Sequence, residues 1–336
     1  MAAIRRERLE RILERMADVP VLIVGDVVLD EYVVGSVDRV SPEAPVPVVH
    51  VQEERVALGG AANVARNVAA LGGRAMISAV IGDDAAGNEI ARLLDDLGID
   101  ASGLVVTSGR PTTRKTRVVA RSQQVVRLDR ESVAPPIPAV GRRFAASVER
   151  ALPAARTVIV EDYGKGVLTR NMAAKLMKQF RAAEIPVVVD PKSTVTPYRG
   201  ASLLKPNLRE AEAISGVSIR TPEDLAKAVA RLRRRVGGGD VVVTRGGEGM
   251  TLFEGDDHGI EVPTVAQEVF DVQGAGDTTV AALALALRAG ARLIEAAIIA
   301  NAAAGVVVGK AGTATASRRE VKKLLARSIA AARGGA

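Results

Sequence analysis

Asp271-Val-Gln-Gly-Ala-Gly-Asp277 runs straight into an apolar stretch, residues 278–287, so two glycines and a small residue precede an acid that opens a predicted helix. A loop that turns into a helix this way aims several backbone N–H groups at one point, with the positive end of the helix dipole behind them. Phosphate binds at such places. A carboxylate there would repel the anion if binding were the whole task, but it suits a base that takes the proton from an attacking hydroxyl. The pairing points to a kinase acting on an alcohol. A Gly-x-Gly turn before a helix is common in itself, so the reading depends on its company.

On either side of this loop the chain alternates between short apolar runs and helical periods. Residues 21–25, 75–81, 157–161, 186–190, 202–204 and 240–244 read as buried strands, and 61–71, 85–97, 169–183, 207–215 and 222–236 as helices. That alternation predicts a parallel sheet covered by helices. Two regions break it: 31–51 and 112–129 are rich in Val and Thr, lack a helical period and read as strands of a separate small sheet, a lid. Pro42, Pro45 and Pro47 require edge or extended backbone in the first of them. The expected organisation is one α/β domain over residues 1–336, with a linker only at 135–138.

Composition excludes several chemistries. The 336 residues are 48% hydrophobic, enough for a large core, and contain no cysteine, which rules out disulfides, thiolate catalysis and thiolate-ligated metals. His50 and His258 are the only histidines and stand far apart, so any metal should be a hard cation such as Mg²⁺ on carboxylate and phosphate oxygens. The net charge of +7 comes from Lys and Arg mixed with 39 acids, and aromatic residues make up 2%, too few for base stacking. No nucleic-acid partner is expected. Residues 1–20 form an amphipathic pattern with Ile4, Leu9, Ile12, Leu13 and Met16 on one side, and the apolar segment 296–308 is too short to span a bilayer. A cytoplasmic enzyme without a membrane partner is expected.

Ligands of an open parallel sheet bind beyond the carboxyl ends of its strands, so the residues that follow each strand matter most. Gly25-Asp26-Val-Val-Leu-Asp30 follows the first, and Gly59-Gly60-Ala-Ala-Asn63 opens a helix where glycine lets backbone approach a ligand and Asn63 can both donate and accept. Asp190-Pro-Lys192 follows the fourth strand. Lys205-Pro-Asn207-Leu-Arg-Glu210 places Asn207 and Glu210 one helical turn apart, an arrangement that also reads as a capping box. A carboxylate near a triphosphate needs an intervening cation, so Glu210 is the candidate to organise Mg²⁺ through water. Thr244-Arg-Gly246-Gly247-Glu-Gly249 closes another strand and is equally a strand–turn–strand. Gly305 to Lys310 lacks the spacing and the final Ser or Thr of a Walker A loop, leaving the Gly274–Asp277 loop to hold phosphate.

Taken in order, these motifs resemble those of the ribokinase-like (PfkB) carbohydrate kinases. The resemblance implies a three-layer α/β/α fold with a mostly parallel sheet and a small β lid. It implies ATP as phosphoryl donor and Asp277 as catalytic base, with Gly274, Ala275 and Gly276 forming an anion hole. Asp30, Gly59, Gly60, Asn63, Asp190 and Lys192 would contact sugar, and Asn207, Glu210, Thr244, Gly246, Gly249 and Asn301 would line the nucleotide site. Many relatives carry Thr where this chain has Gln273. Dimerisation through the lid is implied by resemblance alone. Within the family, Val40-Ser41-Pro-Glu-Ala-Pro-Val-Pro-Val-Val49, Gln123-Gln124-Val-Val-Arg127-Leu-Asp129, Asp162-Tyr-Gly-Lys165-Gly166, Asp190-Pro-Lys192 and Gly309-Lys310-Ala-Gly-Thr-Ala-Thr315 resemble the D-glycero-β-D-manno-heptose 7-phosphate kinases. Such proteins are sometimes fused to a nucleotidyltransferase, and the end at Ala336 leads us to expect the kinase alone.

A phosphorylated sugar substrate gives meaning to the lid cations. Lys115, Arg117, Arg121 and Arg127 occupy odd positions of a strand-like stretch, which places some of them on one face if the strand is continuous. Guanidinium forks suit phosphate, and Lys165 and Lys192, each following a core strand, are further candidates. Solvated lid charges and surface ion pairs are the plainer readings of these cations. Rival functions are a kinase for another sugar or sugar phosphate and a nucleotide-binding protein without turnover. A dinucleotide-dependent oxidoreductase would need a Gly-x-Gly-x-x-Gly turn after the first strand, which Gly25-Asp26-Val27 is not.

Overall fold

The computed structural model describes residues 4–121, 123–255, 259–266, 269–310 and 312–334; His258 and Ala311, named above, lie outside them. A nine-stranded sheet forms the centre. From the N-terminus its elements are α1 (Arg6–Arg15), β1 (Pro20–Gly25), then β2 (Val27–Val40) and β3 (Pro47–Gly60), which leave the sheet, α2 (Ala61–Ala70), β4 (Arg74–Gly82), α3 (Ala85–Asp96) and β5 (Asp100–Thr107). A second excursion follows as β6 (Arg114–Ala120) and β7 (Gln123–Arg130), and α4 (Pro138–Ala151) leads back to β8 (Thr157–Asp162), α5 (Arg170–Ala182), β9 (Val187–Pro191) and β10 (Leu203–Leu204). The remainder is α6 (Leu208–Ser215), α7 (Pro222–Val236), β11 (Asp240–Thr244), β12 (Met250–Phe253), β13 (Ile260–Val262), α8 (Ala275–Arg288), α9 (Leu293–Val308) and α10 (Arg318–Gly334).

The sheet order is β13-β12-β11-β10-β9-β8-β1-β4-β5, parallel except for the antiparallel pairs that β12 makes with β11 and β13. Side chains alternate across it as a strand period of two requires. Val21 and Ile23 of β1 join one apolar layer with α1, α2, α3, α8, α9 and α10, whereas Leu22 and Val24 join the opposite layer with α4, α5, α6 and α7. The ribokinase-like α/β/α architecture expected from the motifs is therefore present.

The small sheet has the order β3-β2-β6-β7. Its strands run further than the expected 31–51: β2 begins at Val27 and β3 continues to Gly60, so both motifs flanking the excursion belong to its base. Pro42 and Pro45 lie in the connecting turn, and Pro47 is the first residue of β3, an edge strand where a missing N–H breaks no ladder. Four elements are not legible in the sequence. β5 buries only Gly103 and Val105 among its eight residues, α4 starts at Pro138 within the stretch expected as a linker, β13 is only three residues long, and α10 is the last element. Pro at a helix's first position is favourable, because the N–H it lacks would have no intrahelical partner.

Candidate active site

β1 has β4 on one side and β8 on the other, so the loops leaving β1 and β8 diverge and open a crevice at the carboxyl ends of the strands. Asp26, Asp162 and Tyr163 stand at this switch point. The crevice continues along β9, β10 and β11 as a cavity of about 410 Å³ that reaches α8 and α9. Asp190, Lys192, Asn207, Glu210, Thr244, Gly246, Gly249, Asn301 and the Gly274–Asp277 loop all line it. Every residue expected at the nucleotide site is thus brought to one wall system.

Helix α8 starts at Ala275, earlier than the sequence suggests, so Asp277 lies inside its first turn rather than before it. Gly274 caps the helix at φ 76°, a left-handed conformation natural to glycine. Asp277 is 7% exposed. Asn63 Nδ2 donates to Oδ2 at 2.6 Å and Tyr163 Oη–H donates to Oδ1 at 2.9 Å. Burial raises the Asp277 pKa above its ordinary value, while the two donors and the Lys205 ammonium oppose that rise. The first residue of β2 follows Asp26 directly, and Asp26, pushed up to about 6 chiefly by burial, accepts from Lys165 N at 3.0 Å.

Lys205 precedes the Asn207–Glu210 motif, and nothing in its spacing announces a role. It is 3% exposed, its Nζ lies 2.7 Å from Asp190 Oδ2, and a methyl group at Gly276 would sit 3.6 Å from the same Nζ. Burial alone would lower its pKa, but Asp190 and Glu161 outweigh burial and raise it, so it stands as a fixed cation beside the loop amides. Asp190 is pushed to about 6 by burial, with Lys205 holding it down. Glu161 is fully buried at the end of β8, and among the described residues neither of its carboxyl oxygens has a hydrogen-bond partner. Burial, then Asp190 and Asp277, raises its pKa well above 4.5.

The sugar-side candidates approach from the base of the small sheet. A Cβ on Gly59 would lie 2.3 Å from Asp30 Oδ2, so glycine here admits the Asp30 carboxylate; Gly60, at φ 57°, similarly admits the Asp26 carbonyl and caps α2. Arg117 Nη1 meets Asp30 Oδ1 at 2.6 Å. Lys115 pairs with Asp129 at 3.1 Å, Lys165 with Glu131 at 2.6 Å and Lys192 with Glu210 at 3.1 Å. The lid strand is not continuous: β6 ends at Ala120, Arg121 turns at φ 49°, and Arg127 stands on β7 opposite Arg117. Arg121 pairs with Asp38 near the lid's tip, roughly 15–20 Å along the strand from the Asp30 level, and does not join the site. Gln273, the departure from Thr, accepts a hydrogen bond from Tyr32 Oη at 2.5 Å and so ties β2 to the loop before α8.

On the nucleotide side, Asn207 and Glu210 do form a capping box, with Asn207 Oδ1 accepting from Glu210 N and Glu210 Oε2 from Asn207 N, both at 2.9 Å. Capping and pocket lining coexist. Gly249 is required by the turn into β12, since a Cβ would meet Val262 O at 2.1 Å. Asn301 commits its amide donor to Pro263 O at 2.7 Å. Among the described residues no cluster of three or more acids or histidines is poised to hold a metal. Of the carboxylates that line the pocket, Asp190 and Glu210 fit a hard divalent cation that arrives with a triphosphate rather than one the chain holds alone. No described helix is long and apolar enough to cross a membrane.

A sheet opened at this switch point, with a carboxylate and a glycine loop at a helix start, is an arrangement that suits phosphoryl transfer on a ribokinase-like fold. Residues 21–320 match the pfkB family of carbohydrate kinases, and the chain belongs to that family. It is 44% identical over 317 residues to the bifunctional protein HldE of Geobacter metallireducens and 46% identical over 305 residues to that of Paramagnetospirillum magneticum. These alignments cover 94% and 90% of this chain but 65% and 62% of the relatives' own lengths. In fold it matches Arabidopsis thaliana ribokinase complexed with ribose and ATP (TM-score 0.76, 24% identity, 92% of this chain and 99% of that one). It matches Escherichia coli phosphofructokinase-2 similarly (TM-score 0.77, 21% identity, 93% and 99%).

Proposed function

We propose that this sugar kinase transfers the γ-phosphoryl group of ATP to the anomeric C1 hydroxyl of D-glycero-β-D-manno-heptose 7-phosphate, giving the 1,7-bisphosphate used in ADP-heptose synthesis. The observation that carries the reading is Asp277: a buried carboxylate, held by two donors, next to the Gly274–Gly276 amides at the end of the large cavity. ATP lies along Asn207, Glu210, Thr244, Gly246 and Gly249, and the sugar lies under the small sheet against Asp30 and Asn63. Asp277 takes the proton of the attacking hydroxyl, and the loop amides with Lys205 stabilise charge on the phosphoryl oxygens in flight. Glu210 would help hold a Mg²⁺ ion that arrives with the nucleotide, and that ion would supply neutralisation of phosphate charge. The sugar's own phosphate is met by Arg117, Lys115 or Lys165 once substrate replaces the acids that now pair with them. We also place the chain in the cytoplasm as a single kinase domain. It pairs with a second copy through the small sheet, whose β7 is exposed along its whole length and carries Val125, Val126 and Leu128.

Phosphorus NMR of the product mixture tests the reading. The expected product is a bisphosphate with one anomeric phosphate, formed only when the heptose already carries phosphate at C7. Phosphorylation elsewhere, or a preference for an unphosphorylated sugar, rejects it in favour of another member of the carbohydrate kinases.

A further inference from the structure

Behind Asp277 runs a chain of buried side chains that starts at Asn63 and continues away from the pocket to Asn67 and Thr278. Thr278 Oγ1–H donates to Asn67 Oδ1 at 2.7 Å. Asn67 Nδ2 donates to the main-chain oxygen of Asn63 at 2.9 Å and, at 3.4 Å, to Asn63 Oδ1. Asn63 Nδ2 then donates to Asp277 Oδ2 at 2.6 Å. Asn63, Asn67 and Thr278 are all fully buried, on α2 and α8, which pack side by side.

We propose that Asn67 and Thr278 are positioning residues for phosphoryl transfer, which act through Asn63 to hold Asp277 in the form that can accept a proton. The sense of the chain is anchored by the Asn63 main-chain carbonyl, which can only accept, so the Asn67 atom facing it must be the NH₂ group. The Asn67 oxygen is thereby turned to Thr278, whose hydroxyl satisfies it. With the Asn63 oxygen turned toward Asn67, its NH₂ group is the part presented to Asp277. In the opposite sense an amide oxygen would face a carboxylate oxygen with no proton between them, an arrangement that suits only a protonated Asp277. A buried acceptor without its donor is costly, so removing the Thr278 hydroxyl weakens the sense in which every later amide is set.

The surroundings make this assistance matter. Lys205 favours the ionised carboxylate, but Asp30, Asp190 and Glu161 face the same region and disfavour it, and Tyr163 supplies the other donor. Burial acts in the same direction as those acids.

The inference rests on Asp277 serving as the base, and the experiment keeps the two claims apart. Asp277 is followed by carbon-13 titration of its carboxyl in ligand-free protein, the resonance being assigned by its loss in Asp277→Asn. In Thr278→Val, which keeps the side chain's shape, the midpoint should rise by about one pH unit, a tenfold change in proton affinity. With heptose 7-phosphate and ATP the acid limb of kcat should move up by the same amount, with KM for ATP unchanged. Thr278→Ser should restore the wild-type midpoint, and Asn67→Leu should shift it like Thr278→Val. An unmoved midpoint in folded Thr278→Val overturns the proposal, whatever happens to kcat. Full turnover in Asp277→Asn would instead remove the base assignment, while the titration still judges the hydrogen-bond chain.

Discussion

Adding one methyl group at Gly274 or at Gly276 should cost turnover in both cases but stability only at Gly274, although the two glycines are separated by a single residue. At Gly274 the backbone sits at φ 76°, and a Cβ would lie 2.9 Å from Asn63 Nδ2. The left-handed conformation costs an L-residue about 1–2 kcal/mol, and the clash falls on the amide that bonds Asp277 at 2.6 Å. Loss of a hydrogen bond to a charged group is worth about 1.5–3 kcal/mol, which corresponds to roughly a 10- to 150-fold fall in turnover. Gly274→Ala should therefore lose stability and kcat together. Gly276 lies in the first turn of α8 without a positive φ, and its Cβ would make only an ordinary contact with Lys205 Nζ at 3.6 Å. Gly276→Ala should keep or slightly raise stability, since alanine is favoured in a helix, yet lose turnover because the methyl occupies the space that the phosphoryl oxygens need. Urea unfolding alongside steady-state kinetics reads both effects. Wild-type stability and turnover in Gly274→Ala, or an equal loss of stability in the two variants, would refute the reasoning.

Asp277→Asn should lower kcat roughly 10²–10⁴-fold, the usual weight of a general base, with nucleotide affinity by calorimetry unchanged; near-normal turnover would remove the assignment. Arg117→Ala should raise KM for the phosphosugar and leave KM for ATP alone, and an equal loss with a dephosphorylated sugar would make the Arg117–Asp30 pair structural. Lys205→Met leaves Asp190 and Glu161 buried without their cation and should cost roughly 3–5 kcal/mol in chemical unfolding, part of which Asp190→Asn should return in the double variant. Glu295 joins α1 to α9 through Arg8 at 2.6 Å; burial would raise its pKa, but Arg8 and Arg292 outweigh it and hold it at about 2 against an ordinary 4.5. Because the folded value is the lower one, this stabilisation is complete above the unfolded value and is lost as pH falls from about 4.5 through about 2. Glu295→Gln should flatten that part of the pH–stability curve, and an unchanged slope would show that the ion pair contributes little.

What could be read in the sequence was local. Asp277 and its glycines, Asn207 with Glu210, and Gly59 with Gly60 are each written within a few residues of one another, and the chemistry follows from that spacing. Tyr163 and Lys205 could not be found in this way. Tyr163 meets Asp277 across 114 residues, a meeting fixed by the order of strands in the sheet rather than by any neighbouring letters. Regular charge spacing on the lid was legible, but its partners were not. Asp30 stands on β2 and Asp129 on β7, so register, not sequence distance, decides that Arg117 and Lys115 are neutralised by acids. Arg121 illustrates the limit, because one residue at positive φ ends the alternation that had placed it with the others.

Strand order also governs how the chain comes into being. β1 pairs with β4 on one edge and with β8 on the other. Synthesis from the N-terminus completes β1, β4 and β5 first, which leaves the inner edge of β1 open until β8 appears roughly 130 residues after β1 ends, a delay on the order of ten seconds at about 5–20 residues per second. Val21 to Val24 are wholly buried in the finished protein, so during that delay an apolar strand with unpaired amides is presented to the cell. The crevice proposed to receive substrate is bordered by that same edge, so the nascent chain is most exposed to misassociation beside the candidate active site.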